Sequence, residues 1–280
     1  GEQARPLYEQ AAAYWNTQPE RYQDEILAGF ILEAQLLNSE GFNDAAIALL
    51  QSALPRRLSL SGSANMDTAS LYNSLGAAYY RAGRTEDALS AFSAARDGFI
   101  ALERLDSPDG LNVTNNLASL FHVSGQYEQA LEAYQQTAQT RRQLYGPSAA
   151  LSVVLMNQAK LHVEMGNPAA SLRLYDEAVP MALEYARALS GPGIASRAGR
   201  VEAMIANGDR APALVAALAL DAEVAQSDAG DTILGGLSAM ALARAYHADG
   251  QLGRAKTSAA RALDLFEKAG PGGVRARDSV

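Results

Sequence analysis

Cysteine is absent from this chain, and with it go disulfides, thiolate nucleophiles and cysteine–zinc sites. The absence leaves the bacterial periplasm and the cytoplasm both open as compartments. An excess of positive charge is lacking too: 31 acidic residues face 23 basic ones, giving a net charge of −8 and a pI near 5.0. A nucleic-acid reader needs a basic stripe to neutralise phosphates. No such stripe runs along the sequence, so no nucleic-acid partner is expected. Long apolar runs are also missing; Ala213–Leu220 falls far short of a membrane span, and no membrane insertion is expected. The first residues lack the pattern of a secretory leader, and Gly1 in place of methionine reads as a processed start or a cloning scar. Proline is scarce, ten in 280 residues, and Pro55, Pro108, Pro147, Pro168, Pro192 and Pro212 fall near expected helix boundaries. Lysine is down to Lys160, Lys256 and Lys268, a bias that with abundant alanine points to a GC-rich bacterial genome.

What the chain has is a period. Gly41, Gly83, Gly125, Gly166, Gly208 and Gly250 are separated by 42, 42, 41, 42 and 42 residues. A period in this range, held over most of a chain, marks a solenoid, which has no single core and no single compact active site. A fixed frame surrounds each glycine. Seven residues before it stands Ala34, Gly76, Ala118, Ala159, Val201 or Ala243; five after it, Ala46, Ala88, Ala130, Ser171, Ala213 or Ala255. Nine after it come Leu50, Phe92, Tyr134, Tyr175, Ala217 and Ala259, and twelve after it Ala53, Ala95, Thr137, Ala178, Leu220 and Ala262. Within 71–101 the apolar residues Leu71, Leu75, Tyr79, Ala88, Leu89, Phe92 and Ala95 recur at three- and four-residue steps, the spacing of one helical face. Gly83 lies between the two runs, where a left-handed residue ends a helix. Each period therefore predicts one helical hairpin, held close by its small residues.

The order small–aromatic–glycine–alanine–aromatic–alanine is plainest in NSLGAAYYRAGRTEDALSAFSAA (73–95) and NNLASLFHVSGQYEQALEAYQQTA (115–138). It resembles the tetratricopeptide repeat. Ordinary repeats of that family recur about every 34 residues, and the longer period here resembles its kinesin-light-chain-like subtype. The resemblance covers 4–269 and weakens in the fifth repeat, where Val201 and Met204 replace the small and aromatic residues. It implies an all-α, right-handed superhelical solenoid of antiparallel hairpins with about 13 helices. The expected repeats are 27–60, 69–102, 111–144, 152–185, 194–227 and 236–269, with a flexible tail over 270–280. Projected one period upstream, the frame falls on Ala4, Tyr8 and Ala11, so 4–17 reads as an orphan second helix. Trp15 is expected to pack it onto Tyr22 or Ile26. An exposed apolar face of Leu7, Tyr8, Tyr14 and Trp15 would allow a homodimer through this helix.

Catalytic chemistry finds little support. The histidines His122, His162 and His247 lie in different repeats, whereas a metal site needs converging ligands. His162 occupies the position of Tyr79, Phe121 and Tyr246 and reads as a packing residue. Ser124 and Ser190 lack an elbow motif, and Gly270–Gly273 lacks the context of a phosphate loop. No enzyme activity, metal or cofactor is expected.

Surface remains. In the family that this chain resembles, the first helix of each pair lines the concave side. Counting the small residue before each glycine as position eight, groove positions carry Gln35 and Asn38, then Asn73 and Tyr80, then Asn112, Asn115, Asn116, Ser119 and His122. Asn157, Lys160 and Glu164 follow, then Glu202, Arg244 and His247. Asparagine is a mediocre helix former, but its amide offers donors and an acceptor together and can pair with an extended peptide backbone. In kinesin-light-chain-type repeats an asparagine at position six does this. Asn116 and Asn157 match that position, Asn73 and Asn115 the one before, and Ser74 departs from it. The other role open to these amides is to bond neighbouring helices within the stack. The lysine–asparagine pair that clamps a C-terminal carboxylate in this family is found in no repeat. The expected function is a protein- or peptide-binding scaffold with an Asn-lined groove. Two alternatives stand beside it: a sensory or regulatory module of a larger bacterial protein, for instance one joined to a caspase-like protease domain, and a receptor for a small ligand or signalling peptide.

Overall fold

A computed structural model describes residues 4–270 and Gly273; the side chains of Ala4 and Arg5 and the rest of the expected tail lie outside the described residues. The chain divides into two compact units, Gly1–Ser124 and Gly125–Val280. The first holds α1 (Ala4–Trp15), α2 (Gln23–Ser39), α3 (Asn43–Ser61), α4 (Met66–Arg81), α5 (Thr85–Ala101) and α6 (Pro108–Val123). The second holds α7 (Tyr127–Tyr145), α8 (Ala149–Glu164), α9 (Pro168–Tyr185), α10 (Gly191–Asn207), α11 (Arg210–Ala225), α12 (Ile233–Ala248) and α13 (Leu252–Lys268). These 13 helices, with no strand among the described residues, make an all-α solenoid of helical hairpins.

The six periodic glycines hold φ between 73° and 90°, and Gly41, Gly83, Gly166, Gly208 and Gly250 are the turns of hairpins within the units. At Gly83 the turn is closed by two backbone bonds, Gly83 N–H to the Tyr80 carbonyl (3.1 Å) and Arg84 N–H to the Tyr79 carbonyl (2.9 Å). The same pair of bonds closes the turns at Gly41, Gly166, Gly208 and Gly250. They satisfy carbonyls that the helix end leaves without partners, in a conformation costly for a residue with a Cβ.

A second period sets the helix starts. Asn65, Ser107, Ser148, Ser190 and Thr232 cap α4, α6, α8, α10 and α12, each side chain accepting from a backbone N–H in the first turn. The first helices accordingly begin at Gln23, Met66, Pro108, Ala149, Gly191 and Ile233, three or four residues ahead of the spans expected from the apolar frame. Pro108, Pro168 and Pro192 stand in first turns, where the missing N–H costs nothing. Pro55 was expected near a boundary but lies inside α3, and Pro180 likewise lies inside α9. Packing carries those two helices through a position that intrinsic preference disfavours.

The frame residues are the core. Ala34, Ala46, Ala88, Ala95, Ala118, Ala130, Ala159, Ala178 and Ala213 are fully buried. Gly76 has no room for even a methyl: a Cβ there would sit 2.5 Å from the Phe92 ring. Burying such a ring contributes about 1.5–3 kcal/mol, which explains why small residues face it. Within the first unit α2, α4 and α6 pack side by side, and within the second α8, α10 and α12 do the same. Two buried charges tie the layers together. Arg57 on α3 bonds Asp24 on α2 (2.7 Å) and Asp67 on α4 (3.4 Å). Asp221 on α11 accepts from Ser238 on α12 (3.0 Å) and pairs with Arg261 on α13.

At the N-terminal helix, Tyr8 and Trp15 lie over Gly29, where an added Cβ would be 3.0 and 3.1 Å from their rings. Tyr8 also donates to Glu33 (2.8 Å). Trp15 thus packs over Gly29, where the glycine lets α1 approach α2. Tyr22 meets Tyr14 instead, with ring centroids 5.5 Å apart. Among the large apolar residues of α1, Leu7 and Tyr14 are exposed, while Tyr8 and Trp15 are half-buried.

Two experiments check this packing. Ala88→Leu should cost about 1–3 kcal/mol by overpacking. Glu103 holds φ 55° just beyond α5, so Glu103→Gly should act in the opposite sense and stabilise by about 1 kcal/mol; denaturant midpoints measure both. His162 on α8 has a buried Nδ1 without a hydrogen-bond partner among the described residues, and burial, then the charge of Arg173, lowers its pKa from 6.5. The unfolded chain therefore binds its proton more readily. Stability from neutral His162 is complete above pH 6.5 and is lost as pH falls through the lowered folded value. His162→Phe should flatten that limb of a melting-temperature profile; an unchanged slope would show that His162 does not cause it.

Candidate functional site

The expected groove residues separate between the two units. In the first, Gln35 and Asn112 are exposed, and Asn73, Tyr80, Asn115, Asn116 and Ser119 are half-buried. Asn38 and His122 are buried, each 8% exposed, and so stand as packing residues of α2 and α6. Asn116 on α6 donates its amide N–H to the Asn73 carbonyl on α4 (2.9 Å). One role of these amides is thus to bond neighbouring first helices. The bond uses one donor of Asn116 and one lone pair of Asn73, and each amide keeps further hydrogen-bonding capacity. Ser119 turns inward and donates to the Asn115 carbonyl one helical turn back (3.0 Å).

In the second unit, Asn157, Lys160, Glu164, Glu202, Arg244 and His247 come together. They line two adjoining cavities along α8, α10 and α12. One cavity, of about 530 Å³, has Asn157, Lys160, Glu164, Glu202 and Arg244 on its walls with Met156, Val163 and Leu237. The other, of about 640 Å³, lies between α10, α12 and α13 and is walled mainly by Val163, Ile205, Met240, Ala243 and Ala255. Glu202 and Arg244 line both cavities and are joined by an ion pair across α10 and α12. That pair is about one-third exposed on each side, so it orders the wall more than it stabilises the fold, contributing about 1 kcal/mol or less.

Sequence reasoning missed several wall residues, Tyr175 among them. Tyr175, on a second helix, lines the smaller cavity because α10 carries Gly199 where it passes. A Cβ at Gly199 would sit 2.2 Å from the Tyr175 hydroxyl. Position six of the frame, held by Asn116 and Asn157 in the two preceding repeats, is Gly199 in the fifth. The tyrosine hydroxyl thus occupies the space of the missing asparagine side chain. Burial, and then the charge of Glu202, raises its pKa, so it stays a neutral donor. The glycine at position six was the available signal.

Among the described residues no three His, Cys, Asp or Glu side chains are grouped as metal ligands, and no helix is long and apolar enough to cross a membrane.

Residues 25–101 and 111–184, more than half of the chain, match the family model for the tetratricopeptide repeat. No curated protein matches the chain. Among solved structures it is similar to NprR in complex with its cognate peptide NprX (13% identity over 97% of this chain and 80% of that one, TM-score 0.64). It is also similar to a Podosopora anserina putative kinesin light chain with nearly identical TPR-like repeats (19% identity, 74% and 96% covered, TM-score 0.59). A third is BtubC from P. vanneervenii (18% identity, 95% and 89% covered, TM-score 0.57). At such identities the likeness is one of fold.

The Asn73–Asn116 bond is open to a double-mutant cycle. Asn73→Ala, Asn116→Ala and the double variant should show a coupling of about 0.5–1.5 kcal/mol in denaturant unfolding. Additive effects would mean that the two amides do not support each other.

Proposed function

We propose that this chain, which belongs to the tetratricopeptide repeat family, is a non-catalytic scaffold that binds an extended peptide along α8, α10 and α12. The observation that carries this reading is the convergence of six separated residues, Asn157, Lys160, Glu164, Glu202, Arg244 and His247, on two adjoining cavities of one unit. Their chemistry suits a peptide. The Asn157 amide and the Tyr175 hydroxyl can serve backbone groups, while Lys160, Glu164 and the Glu202–Arg244 pair offer both charges to side chains. An extended segment exposes one donor and one acceptor per residue, and the successive first helices present matching groups at intervals along the face. The amides of α4 and α6 form a second patch of the same chemistry in the first unit, carried by Asn73, Asn115 and Asn116. The peptide complex of the structurally similar NprR is consistent with this use of the fold.

The test is a peptide selected against the full chain from a random display library, followed by fluorescence anisotropy. An Asn157→Ala, Lys160→Ala variant should keep its circular-dichroism spectrum and lose affinity about ten- to hundredfold, as expected for one neutral and one charged hydrogen bond. Unchanged affinity, with crosslinks confined to α9 and α11, would overturn the reading.

A further inference from the structure

The larger cavity of the second unit lies where the repeat frame lacks its usual large residue. Nine residues after the turn glycine, the first four repeats carry Leu50, Phe92, Tyr134 and Tyr175, all buried. The fifth carries Ala217, fully buried, and the sixth Ala259, whose side chain lines the cavity. Around it Ala243, Ala255, Ile205, Val163 and Met240 form an apolar wall. At about 640 Å³ the space is within the usual range for a ligand pocket, roughly 300–1,000 Å³. Ala259 presents a methyl where the first four repeats carry a ring or a branched chain, and Met240 can adjust the shape of the space to an occupant.

Charge at the mouth runs against that of the whole protein. The chain carries a net −8, yet Arg244 and Lys256 line this cavity with Glu202 as the one acid, and His247 stands beside them. Arg244 is held by Glu202. Lys256 and His247 are exposed and make no ion pair among the described residues. The mouth therefore attracts a negative group next to an apolar one. Glu202 and Arg244 form the wall common to both cavities, so a peptide that crosses this pair would reach both. This favours an acidic side chain within a peptide over a chain terminus.

Resting on the peptide-binding reading, we infer that the cavity between α10, α12 and α13 is a specificity pocket for a bulky apolar side chain directly adjacent to an Asp or Glu of the bound peptide. The empty frame position at Ala259 admits the apolar group, and Lys256 pairs with the acid.

Random dodecapeptides displayed on phage and selected against the full chain supply the probe. Selected peptides should carry Leu, Ile, Phe or Met beside an acid, and changing that acid to its amide should weaken anisotropy-measured binding by about tenfold. Ala259→Phe restores the side chain typical of the frame and should abolish the apolar preference. Lys256→Glu, an exposed change that leaves the fold intact, should reverse the preference from acidic to basic neighbours and decides the matter if Ala259→Phe does not fold. Selected peptides that bind both variants as they bind the parent chain, yet fail on Asn157→Ala, Lys160→Ala, would overturn this pocket and leave the groove standing. Failure to select any peptide would overturn both. Self-association in light scattering that Ala259→Phe abolishes would make a second copy the occupant and overturn the peptide assignment.

Discussion

Close approach of paired helices is the constraint from which the rest of this structure follows. A hairpin can bury an aromatic ring only where the facing helix has almost nothing on it, as Gly76 has under Phe92 and Gly29 under Tyr8 and Trp15. The alanines of the frame serve the same end; a larger residue there must push the helices apart. Left-handed glycine turns complete the arrangement by reversing the chain at one point in every period. Neither element suffices alone, since a turn without small residues leaves the helices splayed and small residues without a turn have nothing to face.

The candidate site arises where this frame is broken. Gly199 gives up a position-six side chain, and Tyr175 from the neighbouring hairpin fills the space with a hydroxyl. Ala259 stands where the first four repeats carry a ring or a leucine, and its side chain lines a cavity. In both places a regular packing unit has lost volume, and what replaces it faces the row of first helices. Repeat proteins are well suited to such changes, because each repeat contacts only its neighbours and a local loss need not propagate. The ion pair of Glu202 with Arg244 shows the same economy. It bridges equivalent positions of adjacent repeats and divides two spaces of different polarity.

Much of the fold was legible because a helical hairpin writes its contacts at fixed local spacing. Ala88, Phe92 and Ala95 announce a buried face three and four residues apart, and Gly83 announces the turn before it. Helix starts were less legible from apolar spacing alone. Asn65, Ser107, Ser148, Ser190 and Thr232 recur with the same period as the glycines, but a cap acts through one side-chain hydrogen bond and leaves no trace in the hydrophobic pattern. Of the expected groove residues, those on α8, α10 and α12 line cavities, whereas Asn38 and His122 are buried. A repeat position names a helix face, but the packing around each helix decides how much of that face stays open.

By itself, the sequence determined the hairpin unit, its period, its turns and the residues that must be small, since each depends on contacts within one period and on backbone geometry that only glycine adopts freely. Tertiary structure alone decided that Tyr175 reaches the groove, that Asn73 and Asn116 spend part of their capacity on each other, and that Ala259 lines a cavity. The physical reason is the same in each case. These features join residues of different helices, and whether a side chain fills, bonds or leaves a space between helices depends on distances that no spacing along the chain records.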